Sequence, residues 1–424
     1  MGITLSSAPR VANGRCAKPE ETLERLESVL GAAYRFSYRE EKIADSLYRG
    51  AVVTDALGFP PMGKGTTPLL CRISALAEAV EWLALKRRRE LPEHIDAHQD
   101  EINAPLAIEE LLTHIATVTP ETAARIKQTE AARHWVSGYS LVEERPMNVP
   151  LEYIHGISGT NGLAAGNCIE EAIVQGTNEV LERRAVITLV KNRMTAPTFD
   201  INSVESTVAR DQISCIRDHG IDVTIKDLSF GGALPCLGVY FRDRRIPPEL
   251  QCHHLFKAAA SCDRTAALVS CLTEYAQLTR LTRNEGPSSS EHERLLCEED
   301  SDNFLPLFWF GYIPFPQADF LEQGEVIPFD PGELPDDCLE DIARAKEIFR
   351  QLGKDYLVVD LTDPKVDFPV VQVVIPGYSD ILPYHPASSP VLFSGWTREL
   401  SMGRCSNEAG PPTPCTAQGL FPEW

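Results

Sequence analysis

Runs with apolar residues at helical spacing alternate along the chain with short runs rich in β-branched and aromatic residues. PEETLERLESVL, from Pro19 to Leu30, follows its acidic start with apolar residues on one face and predicts a surface-docked helix. ISALAEAVEWLALK, within Thr67 to Arg87, predicts a second helix, Glu109 to Ala132 one or two more, and Ile169 to Lys191 one long helix. TIKDLSF and LGVYF, between Asp222 and Phe241, predict strands, and Phe256 to Leu281 returns to helix. Further on, LEDIARAKEIFRQLGKDYLVVDL predicts a helix, a glycine cap and a strand in succession. VVQVVIPG predicts another buried strand, giving a βαβ-like rhythm.

Two segments interrupt the pattern. NEGPSSSEHERLLCEEDSD is polar and acid-rich, so 284–303 predicts an exposed loop. Residues 401–424 hold Pro411, Pro412 and Pro414 and form a tail too short for a domain. With no internal repeat, the expected organisation is one domain over 1–400 followed by that tail.

At 424 residues and 43% hydrophobic the chain can bury a sizeable core. It has no apolar run near the roughly twenty residues that cross a bilayer, and MGITLSSAPRVANG lacks the regions of a signal peptide, so the expectation is a cytoplasmic protein with no membrane partner. Twelve cysteines without a CxxC pair fit a reduced intracellular protein and argue against structural zinc. His94 with His98, and Cys252-His253-His254, have no second ligand set and read as solvated or core residues. A net charge of −21 disfavours nucleic acid and favours a peptide or small substrate. Such a chain, if it binds a nucleotide, must neutralise phosphate locally with cations, helix N-termini or a divalent metal.

Candidate chemistry sits on two helices. Ser74, Glu78 and Glu81 share a narrow arc of the first. On the second, Glu171, Gln175, Glu179 and Glu182 fall within about 80° of one another, with Asn167 at the helix start. Like charges at this spacing repel, and the flanking Ala172, Ile173, Val180 and Leu181 indicate partial burial, so the row calls for a cation. Magnesium, an oxygen-seeking ion that keeps waters and phosphates, suits carboxylates from two neighbouring helices, with Arg183 beside them for a phosphate. Gly162 and Gly166 ahead of the helix are expected to let backbone approach a ligand. Gly58-Phe-Pro-Pro-Met-Gly63-Lys64-Gly65 nearly matches a P-loop, but Gly65 replaces the metal-binding hydroxyl and two prolines remove N–H donors, so that reading fails.

GKGTTPLLCRISALAEAVEW followed by NGLAAGNCIEEAIVQGTNEVLERRA closely resembles the paired signatures of YcaO proteins. ALVSCLTEYAQLTR looks like the family's third helix and FPVVQVVIPGYSDILP like its late strand and loop, so the resemblance covers most of the chain. It implies an α+β fold of mixed and antiparallel sheets packed with helices that carry the nucleotide-binding carboxylates. Ser74, Glu78, Asn167, Glu171, Gln175 and Arg183, with Arg15, Lys18 and Thr22, are implied to bind ATP. Glu78, Glu171, Glu179 and Glu182 are implied to hold Mg2+, and Glu179, Glu182 and Arg183 to be catalytic.

The implied reaction is ATP-dependent O-phosphorylation of an amide followed by nucleophilic attack, giving an azoline or a thioamide on a peptide or protein. A sulfur donor, an accessory protein and a homodimer are further candidate partners. The alternative is a catalytically reduced nucleotide-binding protein, for example one assisting methylthiolation of a ribosomal protein. It is motivated by one departure: the first signature usually ends in Glu-Arg, whereas this chain has Glu81-Trp82, leaving Arg72, Arg183 or Arg280 to replace the missing guanidinium. A carboxylate metalloenzyme without nucleotide is disfavoured by the lack of a Glu-x-x-His pair.

Overall fold

The computed structural model describes residues 3–90, 97, 99–107, 134–154, 158–248, 253–278 and 318–379. The acidic loop at 284–303, the tail at 401–424, the helices expected within 109–132, and His94, His98, Cys252 and Arg280 lie outside the described residues. Its longer helices are α1 (Pro19–Ala33), α2 (Pro68–Glu90), α3 (Ile169–Lys191), α4 (Thr207–Asp218), α5 (Arg264–Leu278) and α6 (Cys338–Gln351). The strands are β1 (Phe36–Ala44), β2 (Leu47–Thr54), β3 (Met62–Gly65), β4 (Trp135–Ser140), β5 (Arg145–Pro150), β6 (Leu163–Ala165) and β7 (Thr198–Phe199). They continue with β8 (Ile221–Asp227), β9 (Cys236–Asp243), β10 (His254–Ala260), β11 (Val326–Ile327), β12 (Leu357–Asp360) and β13 (Val370–Val374).

The strands form three sheets, ordered β1-β2-β3, β10-β9-β8-β7-β11 and β5-β4-β12-β13-β6. All described pairs are antiparallel except β11 with β7. The architecture is the α+β class expected from the sequence.

Strand alternation explains why the late strands read as continuous apolar runs. Leu357, Val359, Val370 and Val374 join the core shared with α1 and α2, whereas Val358, Val371 and Val373 join the core around α3 and α6. This sheet is therefore covered on both faces. Helix α3 lies between the two five-stranded sheets, packing on β6 and β13 of one and on β9 and β10 of the other. Ala172, Ile173, Val180, Leu181, Ala185 and Val186 are all buried, as expected for a helix with protein on several sides. A row of acids on such a helix cannot simply face bulk water.

Two expectations change. The run expected to return to helix at Phe256 is first a strand, with Phe256 opposite Tyr240 and Ala258 opposite Gly238, and α5 begins only at Arg264. Its alanines suit a helix by propensity, but Ala258 and Ala260 here fill the core around α3, so tertiary packing overrides the local preference. Helix α6 does end at the predicted glycine. Gly353 has φ +63°, its N–H bonds to Arg350 O at 3.1 Å, and the Lys354 N–H bonds to Phe349 O at 2.8 Å. The following β12, however, is antiparallel to both neighbours, β4 and β13, so no parallel βαβ unit forms.

Candidate active site

The start of α3 is closed by a short-range acceptor. The Cys168 Sγ accepts the Glu171 N–H, and Glu170 and Glu171 supply negative charge to the first turn. The buried Glu171 carboxylate accepts the Cys16 N–H at 2.8 Å and Asn167 Nδ2 at 3.1 and 3.2 Å, and Arg15 approaches at 3.4 Å. Thr22 Oγ1 donates to Asn167 Oδ1 at 2.9 Å. Arg15 and Thr22 therefore form one cluster with Asn167 and Glu171, more than 140 residues away in sequence. Lys18 joins through its backbone, its N–H donating to Glu21 Oε2 and its carbonyl accepting from Thr22.

The far end of the acidic row is different. Glu179 accepts the Gly162 N–H at 3.1 Å and two bonds from Arg183, at 3.0 and 2.6 Å. Glu78 on α2 has the Trp82 indole N–H at 3.4 Å, and Ser74 Oγ accepts the Lys64 N–H at 3.3 Å. Glu81 accepts the Ala165 N–H at 2.7 Å. Glu78 of α2 and Glu182 of α3 each feel the charge of Glu179 and of Glu274. Gln175 lies half-buried midway along the row.

Glu171 stands apart. At about 1.5 Å per residue it lies roughly 12 to 16 Å along the helix from Glu179 and Glu182, so one ion cannot bridge all four acids assigned to metal. Its lone pairs are also already engaged by protein donors.

Burial raises the Glu78 carboxyl to about 7, the Trp82 N–H and Lys64 pulling it down and Glu179 and Glu274 pushing it up. Burial likewise lifts Glu81 well above the usual carboxylate range against the pull of the Ala165 N–H. Glu182 is raised by burial and then by Glu274 and Glu179, with Arg183 and Lys64 opposing. These acids hold too little positive charge around them for all to ionise comfortably.

Three charged residues outside the sequence-assigned set complete the surroundings. Lys64 Nζ pairs with Glu274 of α5 at 2.7 Å, and the buried Lys257 of β10 pairs with the other oxygen of Glu274 at 3.1 Å. Although burial disfavours its charge, Glu274 is held well below the usual carboxylate range by the two ammonium groups. Lys64, Glu274, Glu179 and Arg183 have side chains between 25 and 27% exposed, so each is partly open to solvent. Lys64 stood within GKG and Glu274 within ALVSCLTEYAQLTR, but a pairing across 210 residues has no local signature.

Several proposed roles change on contact with the structure. A Cβ on Gly162 (φ +79°) would sit 2.1 Å from Val373 O, so this glycine serves strand packing rather than ligand approach. Gly166 packs instead on the first turn of α3, where its Cβ would meet Ala172 N at 2.4 Å. Arg72 is paired with Glu27 and lies over the Tyr38 ring, away from the guanidinium role suggested for it. Trp82 packs edge-on against Phe59, centroids 4.7 Å apart. Elsewhere, Arg242, Arg244, Arg245 and His253 line an open cleft of about 510 Å3, but Asp222, Asp243 and Glu322 compensate the arginines. His254 pairs with Tyr240, half-buried, and burial lowers it to about 4.

Among the described residues no three His, Cys, Asp or Glu side chains make a ready metal cage. The carboxylate oxygens of Glu78, Glu179 and Glu182 suit magnesium, which takes few carboxylates and completes its shell with water and phosphate. No described helix is long and apolar enough to cross a membrane.

Comparison with known proteins places these features in a family. The model of the YcaO cyclodehydratase, ATP- and Mg2+-binding, matches residues 62–379. An uncharacterized protein of Methanothermobacter thermautotrophicus is 26% identical over 74% of this chain and 80% of its own length. The ribosomal protein S12 methylthiotransferase accessory factor YcaO of Escherichia coli is 26% identical over 57% of this chain, but only 40% of the longer factor is matched. Among solved structures, YcaO of Methanopyrus kandleri bound with AMPPCP and Mg2+ matches 88% of this chain and 95% of its own, with TM-score 0.59 and 22% identity. A heterocyclase in complex with substrate and cofactor matches 93% of this chain and 57% of its own, with TM-score 0.65 and 20% identity. The fold is thus shared, and with the family model spanning most of its length the chain belongs to the YcaO family.

Proposed function

We propose that this protein consumes ATP to activate an amide carbonyl of a peptide or protein by O-phosphorylation and then admits a nucleophile to the activated carbon. The observation that carries the reading is that Glu78 of α2 and Glu182 of α3 are both raised by burial and by the charges of Glu179 and Glu274. Membership of a family described as ATP- and Mg2+-binding supports it. Glu78, Glu179 and Glu182 would hold magnesium, which when bound offsets charge on the transferring phosphoryl group. Arg183, fixed by two bonds to Glu179, adds a delocalised positive charge. Ser74 is oriented by the Lys64 N–H, and the Asn167 cluster with Arg15 and Thr22 offers polar contacts at the other end of α3 for the rest of the nucleotide.

Resonance makes an amide carbon a poor electrophile, so the oxygen must first become a leaving group. The amide oxygen attacks the terminal phosphorus and the bond to ADP breaks. A nucleophile then bonds to the carbon, and phosphate departs with the former amide oxygen. With sulfide the product is a thioamide; with a neighbouring Cys, Ser or Thr side chain it is an azoline.

A second reading, an accessory factor that binds nucleotide with reduced turnover, draws support from the match to the Escherichia coli factor and from Trp82 in place of arginine. Isotope tracing separates the two. With a peptide acceptor whose backbone carbonyls carry heavy oxygen, amide activation delivers the label into released phosphate. Phosphate drawing its oxygen only from solvent would make the protein an ATPase and sink the mechanism.

A further inference from the structure

The nucleotide reading leaves a question of charge. A polyphosphate entering beside Glu78, Glu179 and Glu182 meets three acids, and metal alone has to serve both. Arg183 is largely committed to Glu179. Lys64 is differently placed: it acts electrostatically on both Glu78 and Glu182, yet its side chain is 26% exposed. Its described partner is a single Glu274 oxygen, and an ammonium carries three donors.

Its position is built rather than incidental. Gly63 and Gly65 flank it on β3, and a Cβ on either would lie 2.3 to 2.4 Å from α2 backbone at Ala75 or Cys71, so only glycine lets the strand run this close to the helix carrying Ser74 and Glu78. The Lys64 N–H is fixed on Ser74 Oγ. The head group is fixed by Glu274, which is braced from behind by the buried Lys257. Two lysines share one glutamate, so Lys257 keeps Glu274 compensated when Lys64 turns toward an anion.

We propose that Lys64, aimed by the Glu274–Lys257 pair, is the cation that contacts the polyphosphate of the nucleotide. The near-match to a P-loop is then misleading about the loop but right about the lysine: it reaches phosphate from a strand edge rather than from a helix-capping cradle. This inference rests on the nucleotide reading and can fail without it.

Titration calorimetry of the full chain with AMPPCP and Mg2+ tests it. Lys64→Gln should weaken binding by about 10- to 100-fold, as expected for a lost charge-assisted bond. It should also flatten the dependence of affinity on salt concentration, a readout that a merely structural role would leave unchanged. Lys64→Arg should recover part of the affinity. Because Lys257 still pairs with Glu274, the Lys64→Gln protein should melt within a few degrees of wild type. Wild-type binding with an unchanged Lys64→Gln affinity, or a weaker affinity with an unchanged salt slope, would overturn the role of Lys64 while leaving the nucleotide site standing. Absence of AMPPCP binding by the wild type would overturn both.

Discussion

The two ends of α3 carry the same kind of side chain in opposite circumstances. Near the N-terminus, Glu171 is surrounded by the Cys16 N–H, Asn167 and Arg15, a set that satisfies a buried carboxylate. Two turns and more further on, Glu182 is pushed up by burial and by the charges of Glu274 and Glu179, with Arg183 and Lys64, each paired with another acid, opposing only in part. Helical spacing puts all of these acids in one row, but only their surroundings separate an acid that holds the fold together from one that awaits a cation. The first should matter to stability and the second to ligand binding.

Substitutions that exchange these roles would break the comparison. The largest effect is expected for Glu182→Gln: nucleotide turnover should fall by at least about 100-fold, while denaturant unfolding shows stability unchanged or improved, since a crowded buried charge is removed without loss of volume. Glu171→Ala should do the reverse, costing about 2 to 3 kcal/mol in urea unfolding because buried donors from Cys16 and Asn167 lose their acceptor. A Glu182→Gln protein that unfolds, or a Glu171→Ala protein as stable as wild type, would reverse the assignment.

Dependence on pH sharpens the same contrast. Glu78, raised from 4.5 to about 7, keeps a proton in the folded protein over a range where the unfolded chain has released it. The unliganded protein should therefore lose stability through this group as pH rises from 4.5 to about 7, and Glu78→Gln should remove that part of the slope. Affinity for Mg2+ with AMPPCP should move the other way, rising roughly tenfold between about pH 6 and pH 8 with proton release measurable in buffers of different ionisation enthalpy. The smallest effect belongs to Trp82→Phe, which keeps the ring against Phe59 but removes a long 3.4 Å bond to Glu78. Magnesium affinity should weaken about two- to fivefold.

How much of this was legible beforehand follows from the range of each interaction. The span of α3, the glycine that ends α6 and the buried strand at Val370 are written in local periodicity and cap chemistry, and the paired signatures mark the two helices on which the proposed site rests. The β10 strand was misread because an alanine-rich run favours a helix until a partner strand and α3 claim it. Lys64 and Glu274 were visible only as members of other patterns. Their meeting depends on β3 and α5 packing together, and no spacing within either segment encodes it. The differing fates of Glu171 and Glu182 were hidden for the same reason: the donors that satisfy Glu171 come largely from the N-terminal segment.

The most direct test of the central claim uses Mn2+ as a paramagnetic stand-in for magnesium, with AMPPCP and the full chain. Manganese should bind weakly without nucleotide, bind tightly when AMPPCP is added, and lose that gain in Glu182→Gln. Manganese bound equally well with and without AMPPCP, or unaffected by Glu182→Gln, would contradict a nucleotide–metal site at this end of α3.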